Sequence, residues 1–205
     1  MTKLIDLSSD NPDVTSWAQA KAAGYSGMIH RATLGLGTLD KMFNGRMSAS
    51  RAAGFRVGAY HLFYPLDDPK YQAQQFAETA RLFSPLLLAV DLEWVTKNGK
   101  NEWDEVGDPL SLVRTFFYEL KQHFTGDALV YMGKVFADQY FPTWDMSNPL
   151  WVPDYTQSPP RLPAKCPTYS IWQTGQETVA GVQGTVDVDW VSSGVDLDDL
   201  LCHAY

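Results

Sequence analysis

The chain has 205 residues and a formal charge of −8, from 16 Lys and Arg against 24 Asp and Glu. That balance excludes the clustered basic surface with which proteins neutralise nucleic-acid phosphates, so no nucleic-acid partner is expected. With 45% hydrophobic and 20% charged residues the composition is that of a folded domain, and the longest apolar run, Leu86–Val90, is far short of the roughly 20 residues that span a bilayer.

In chain order, short apolar runs predict strands at Lys3–Leu7, Gly27–Ala32, Val57–Phe63, Leu86–Leu92, Ala128–Met132, Leu150–Val152, Tyr169–Gln173 and Thr185–Val188. Helical patterns lie between several of them. Asp68-Pro69 supplies an N-cap and a first-turn proline before Ala73, Phe76, Ala77 and Ala80, and Asp108-Pro109 repeats the device before Leu112, Val113, Phe116, Phe117 and Leu120. Gly54 and Gly126 stand where helix C-caps are expected, each ahead of a strand. The run Leu86–Val90 is apolar at every position, as a parallel strand covered on both faces requires. The Pro-rich stretch from Pro153 to Pro167 reads as a long loop within one domain, residues 1–205.

Strands alternating with helices point to an α/β barrel or a doubly wound sheet, and a count of eight strands favours the barrel. Eight full strand–helix units take about 250 residues, so the expectation is an irregular TIM-like barrel with fewer than eight helices.

Asp6, Asp91, Glu93 and Asp187 fall at or near the C-terminal ends of predicted strands, where barrels of this kind build their active sites. Asp91 and Glu93 are two apart and share a strand face. Carboxylates crowded on one face raise one another's pKa, and a protonated acid beside ionised ones suits glycosidic-bond cleavage. The same four groups could also hold a hard cation. No His or Cys spacing matches a zinc site. Cys166 and Cys202 are either free thiols or a single disulfide. Tyr60, Tyr64, Trp94, Tyr131, Trp151, Tyr155 and Trp172 cluster near strand ends, where flat rings stack on sugars or simply pack the core. His61, on the third predicted strand, is a further candidate for ligand contact.

Ile5-Asp6-Leu7-Ser8-Ser9, Ile29-His30-Arg31-Ala32-Thr33, Ala53 through His61, Val90-Asp91-Leu92-Glu93, Leu150-Trp151-Val152, Trp172-Gln173 and Gly184 through Asp189 occur in that order. Together they resemble the glycoside hydrolase family 25 lysozymes, the muramidases of phage endolysins, bacteria and fungi. The resemblance implies an irregular eight-stranded barrel that cleaves the β-1,4 bond between N-acetylmuramic acid and N-acetylglucosamine in peptidoglycan, with no metal and no cofactor. It implies Glu93 as general acid, Asp91, Asp6 and Asp187 as its companion carboxylates, and Tyr60 in the substrate cleft. Tyr131, Trp151, Trp172, His61 and Asp189 complete the expected substrate contacts. Two departures stand out: Asp189 where the family often has Asn, and Asp10-Asn11-Pro12 after the first strand, which would alter a sugar subsite.

The readings that compete with a muramidase are a catalytically weak glycan-binding barrel and a hexosaminidase on chitin-like polymers. Peptidoglycan is the expected partner, with no membrane contact and a monomeric state. The N-terminus reaches Asp6 before an apolar signal region develops. The expected setting is therefore a host cytoplasm before release through holes made by another protein, or a virion.

Overall fold

The computed structural model describes residues 2–156 and 158–205. Eight strands close into a barrel: β1 Lys3–Leu7, β2 Tyr25–Leu34, β3 Arg56–Leu62, β4 Leu86–Asp91, β5 Leu129–Tyr131, β6 Leu150–Pro153, β7 Ile171–Glu177 and β8 Val186–Val191. Neighbours from β1 to β7 pair in parallel. β8 runs antiparallel to both β7 and β1 and closes the ring. Among the described residues, five helices accompany the strands: α1 Trp17–Ala22, α2 Phe43–Ala52, α3 Pro69–Ala80, α4 Pro109–Leu120 and α5 Lys134–Tyr140. Among the described residues, none is long and apolar enough to cross a membrane.

Alternation along the strands builds two cores. Leu4, Ile29, Leu87, Ala89, Leu129, Trp151, Ile171 and Val191 point inward and fill the barrel. Ile5, Leu7, Met28, Val57, Leu88, Val90, Val130, Val152 and Val188 point outward against the helices. The interior is tight at Gly58, where a Cβ would stand 3.0 Å from both Ile29 Cγ1 and Leu87 Cβ and these side chains would have to shift. All six residues of β4 are buried, as its unbroken apolar run predicts. Leu197, in the segment that follows β8, packs against the inner core with Leu200 and Leu201 alongside.

The capping signals hold where side-chain chemistry sets them. Asp68 Oδ1 accepts from the amides of Lys70 (2.9 Å) and Tyr71 (3.2 Å), and Asp108 Oδ1 accepts from Ser111 N (3.1 Å). Gly54 follows the C-cap of α2 at φ +82°. Gly126 does not cap a helix: α4 ends at Leu120, and Gly126 (φ +79°) sits in the turn before β5. Strand bounds differ from expectation most at β2, which extends to Leu34, and at β7, which begins at Ile171 rather than Tyr169. The Pro-rich stretch after β6 has no regular secondary structure in its described residues. Cys166 and Cys202 are buried free thiols.

Candidate active site

The barrel mouth gathers the predicted carboxylates, though not all by the route their strand positions suggested. Asp6 and Asp91 sit on β1 and β4 near their C-terminal ends, and Glu93 lies just past β4. Asp187, expected at a strand's C-terminal end, is the second residue of β8. It reaches the mouth because β8 is antiparallel, which puts it directly across from Asp6 in the β1–β8 register. These four, with Tyr60, Tyr131, Trp151, Tyr155 and Gln173, line a cavity of about 190 Å³.

Asp6 and Asp91 are buried, Asp187 is partly buried and Glu93 is exposed at the rim. Trp103 holds the Glu93 backbone by donating Nε1–H to its carbonyl at 2.7 Å. Loss of water followed by repulsion from Asp189, Asp187, Asp91 and Glu93 pushes the Asp6 pKa well above the usual carboxylate range. Burial and then Glu93 do the same to Asp91. Glu93 is raised by desolvation and by Asp187, against a downward pull from Arg31, and burial raises Asp187. One carboxylate oxygen each of Asp6, Asp91 and Asp187 is buried without a protein partner. Among the described residues, no three His, Cys, Asp or Glu side chains converge as a metal-ligand set.

Asp189 lies one layer below the mouth, fully buried, with Oδ1 accepting from Trp151 Nε1 at 2.7 Å. Burial raises its pKa, with the Trp151 hydrogen bond opposing and Asp187 adding to the rise. It supports the floor rather than lining the cavity. Trp151 packs edge-on against Tyr60 and Tyr131, at centroid distances of 6.3 and 4.9 Å. Burial and nearby carboxylates raise the pKa of both phenols, so they stay neutral and able to donate.

Besides Asp189, two further expected contact residues are not brought into the site. His61 is fully buried on the outer side of β3, between Thr33 Oγ1 (2.7 Å) and Gln72 Oε1 (2.9 Å), with its ring stacked on Phe116. Gln72 Oε1 can only accept, so His61 carries its proton on Nε2 and takes the Thr33 hydroxyl on Nδ1. Burial lowers its pKa to about 4, so it stays neutral at physiological pH. Trp172 likewise faces outward, packs on the outer core and donates Nε1–H to Asp154 O at 2.8 Å.

The neighbour of Trp172 does face the mouth, and the sequence reading passed it over. Gln173 Nε2 donates to Asp6 Oδ2 (2.9 Å), while Gln173 Oε1 accepts from the hydroxyls of Tyr131 (2.9 Å) and Tyr155 (2.6 Å). One amide thus positions a carboxylate and two phenols. Its signal in the sequence is the Trp172-Gln173 pair, whose inward-facing member strand alternation alone does not identify. Arg31 was passed over as well. It follows the inner-core residue Ile29 by two on β2 and stands beside Tyr60 in register, so alternation turns it inward at the mouth. Arg31 Nε donates to Asp40 (3.2 Å), and Nη2 donates to Asp10 (2.8 Å) and to Ser9 Oγ (3.2 Å). The buried Asp40 anchors the arginine, and the exposed Asp10 adds a contact on the solvent side.

The chain matches the family described as Glycosyl hydrolases family 25 over residues 5–182. It is 27% identical to Lysozyme M1 of Streptomyces globisporus over 183 residues, covering 84% of this chain and 62% of that protein, so it spans less than two thirds of that relative's length. The bacterial lysozyme of Streptomyces coelicolor superposes with a TM-score of 0.88 at 25% identity, covering 97% of this chain and 95% of the other. A muramidase from Trichobolus zukalii shares the fold with a TM-score of 0.82 at 20% identity, covering 98% of both chains.

Proposed function

Because the chain belongs to glycosyl hydrolase family 25, we propose that it cleaves the β-1,4 bond between N-acetylmuramic acid and N-acetylglucosamine in peptidoglycan, with Glu93 as general acid and then general base. The observation that carries this reading is the crowded carboxylate mouth, in which Glu93 alone of the four lining carboxylates is exposed. Its pKa is raised, as an acid that must hold a proton until the bond breaks requires. The relatives named as lysozymes support the substrate class.

Glu93 protonates the departing glycosidic oxygen as the C–O bond opens. The substrate's own 2-acetamido oxygen attacks the anomeric carbon from the opposite face, and Asp91 or Asp187 orients the amide by accepting its N–H. Water, deprotonated by Glu93, then opens the ring intermediate, so configuration is retained by two inversions. Asp6, held by Gln173, stabilises the developing positive charge. Tyr60 supplies a neutral donor to the sugar, while Tyr131 and Tyr155, whose hydroxyl protons go to Gln173, offer it acceptor lone pairs and ring faces. The setting that suits such an enzyme is the cell wall.

The test is to digest peptidoglycan, reduce the new chain ends with borohydride and identify the terminal sugar by mass spectrometry, with E93Q in parallel. Reduced muramic acid ends, with E93Q slower by about 10²–10⁴-fold yet folded, are expected. Reduced glucosamine ends, or full activity in E93Q, would overturn the assignment. A folded protein that binds peptidoglycan without making new ends would be a glycan-binding barrel.

A further inference from the structure

Beside the mouth lies a second cleft of about 430 Å³ that the sugar chemistry does not use. Trp94, Val135 and Tyr155 are three of the molecule's exposed large apolar side chains, and they meet here over Pro153. The cleft opens onto the mouth: Tyr155 lines both cavities, and Trp94 directly follows Glu93. Its edges carry two cations. Lys134 lies 2.6 Å from Asp138 with 41% of its side chain exposed, and Arg161 lies 2.8 Å from the buried Asp154 with 61% exposed. In a chain of charge −8, an apolar trough whose two rim cations are each paired with one carboxylate is close to neutral, unlike the acidic mouth beside it.

We propose that this cleft receives the peptide carried by the muramoyl sugar, its small aliphatic side chains on Trp94, Val135 and Tyr155 and its carboxylates toward Lys134 and Arg161. The inference rests on the muramidase reading. Its physical basis is repulsion: the reacting bond must enter a mouth lined by four acidic groups, and a peptide bearing its own carboxylates cannot follow the sugar there without like-charge cost. The adjoining cleft offers a short way out, onto apolar walls and toward two cations whose pairing leaves the rim without net negative charge.

The test compares kcat/KM on stem-bearing peptidoglycan and on glycan strands stripped of peptide by an amidase, for the wild type, Val135→Asp and Lys134→Glu. Wild type should favour the stem-bearing substrate. Each variant should lose about tenfold on it, from a carboxylate placed against the peptide's own, and match wild type on stripped strands. Equal losses on both substrates would make the cleft a sugar subsite, and no loss on either would leave it without a role in binding; both results overturn the proposal. Cleavage of stripped strands by the wild type keeps the muramidase reading separate from this outcome. If the wild type cuts neither substrate, titrating a free alanyl-glutamyl stem peptide against the Trp94 indole resonance decides the matter. Perturbation of that resonance in the wild type but not in Val135→Asp sustains the cleft, and its absence overturns it.

Discussion

Tyr60 and His61 are chain neighbours on β3, and only one of them can face the mouth. Tyr60 turns inward to Trp151, while His61 turns outward to Gln72 and Phe116. Trp172 and Gln173 repeat the lesson on β7, with the polar neighbour facing in. Arg31 matters at this scale because it is the cation whose charge opposes the raised pKa of Asp91 and Glu93. Glu93 must be protonated to act, so activity falls as pH rises through its pKa. Arg31→Gln removes the downward pull, raises that pKa and moves the alkaline limb of the pH–kcat/KM profile upward. Arg31→Lys keeps the charge and leaves the limb near its wild-type place. A downward shift in Arg31→Gln would show that Arg31 does not act on Glu93 through its charge.

At the scale of elements, what places the site is strand direction and what steadies it is helix capping. β8 runs against its neighbours, so a carboxylate at its start arrives level with carboxylates at the ends of β1 and β4. α4 presents Val113, Phe116 and Phe117 to the outer core, and Phe116 is the ring on which His61 stacks. The helix begins where Asp108 satisfies the Ser111 amide. Asp108→Ala should therefore cost about 1 kcal/mol in urea unfolding, and Asp108→Asn much less. Equal stability of Asp108→Ala and wild type would mean that packing alone sets the start of α4.

For the whole molecule, the site works against stability near neutral pH. Asp189 is fully buried with its pKa raised above its unfolded value near 3.9. Its contribution is thus favourable at low pH and is lost as pH rises through the folded pKa. Asp189→Asn keeps an acceptor for Trp151 and removes the charge. It should add about 1 kcal/mol at pH 7, with the gain over wild type fading as pH approaches 4. A constant gain at all pH values would rule out charge as its source. The buried His30 and His61 act in the opposite sense: burial lowers each to about 4, so their contribution is full above the unfolded pKa near 6.5 and is lost as pH falls toward 4. They are common to both proteins, so the difference between Asp189→Asn and wild type isolates Asp189.

Local periodicity and composition along the chain account for part of this architecture. The unbroken run at β4, the capped starts of α3 and α4 and the eight apolar segments of a barrel could all be read from neighbours in the chain. So could Asp6, Asp91 and Glu93, because each stands where an apolar run ends; Asp187 instead stands at the start of its strand. The direction of β8 emerges only in the closed barrel, since an apolar segment reads the same for a parallel or an antiparallel partner. The fold alone turned His61 and Trp172 outward, because which face of a strand lies inside is settled by ring closure. It also brought Gln173, Tyr155 and Arg31 to the mouth, joined to Asp6, Tyr131 and Asp10 by hydrogen bonds between residues distant in sequence. Such contacts leave no periodic trace along the chain, because they are made by closing the barrel.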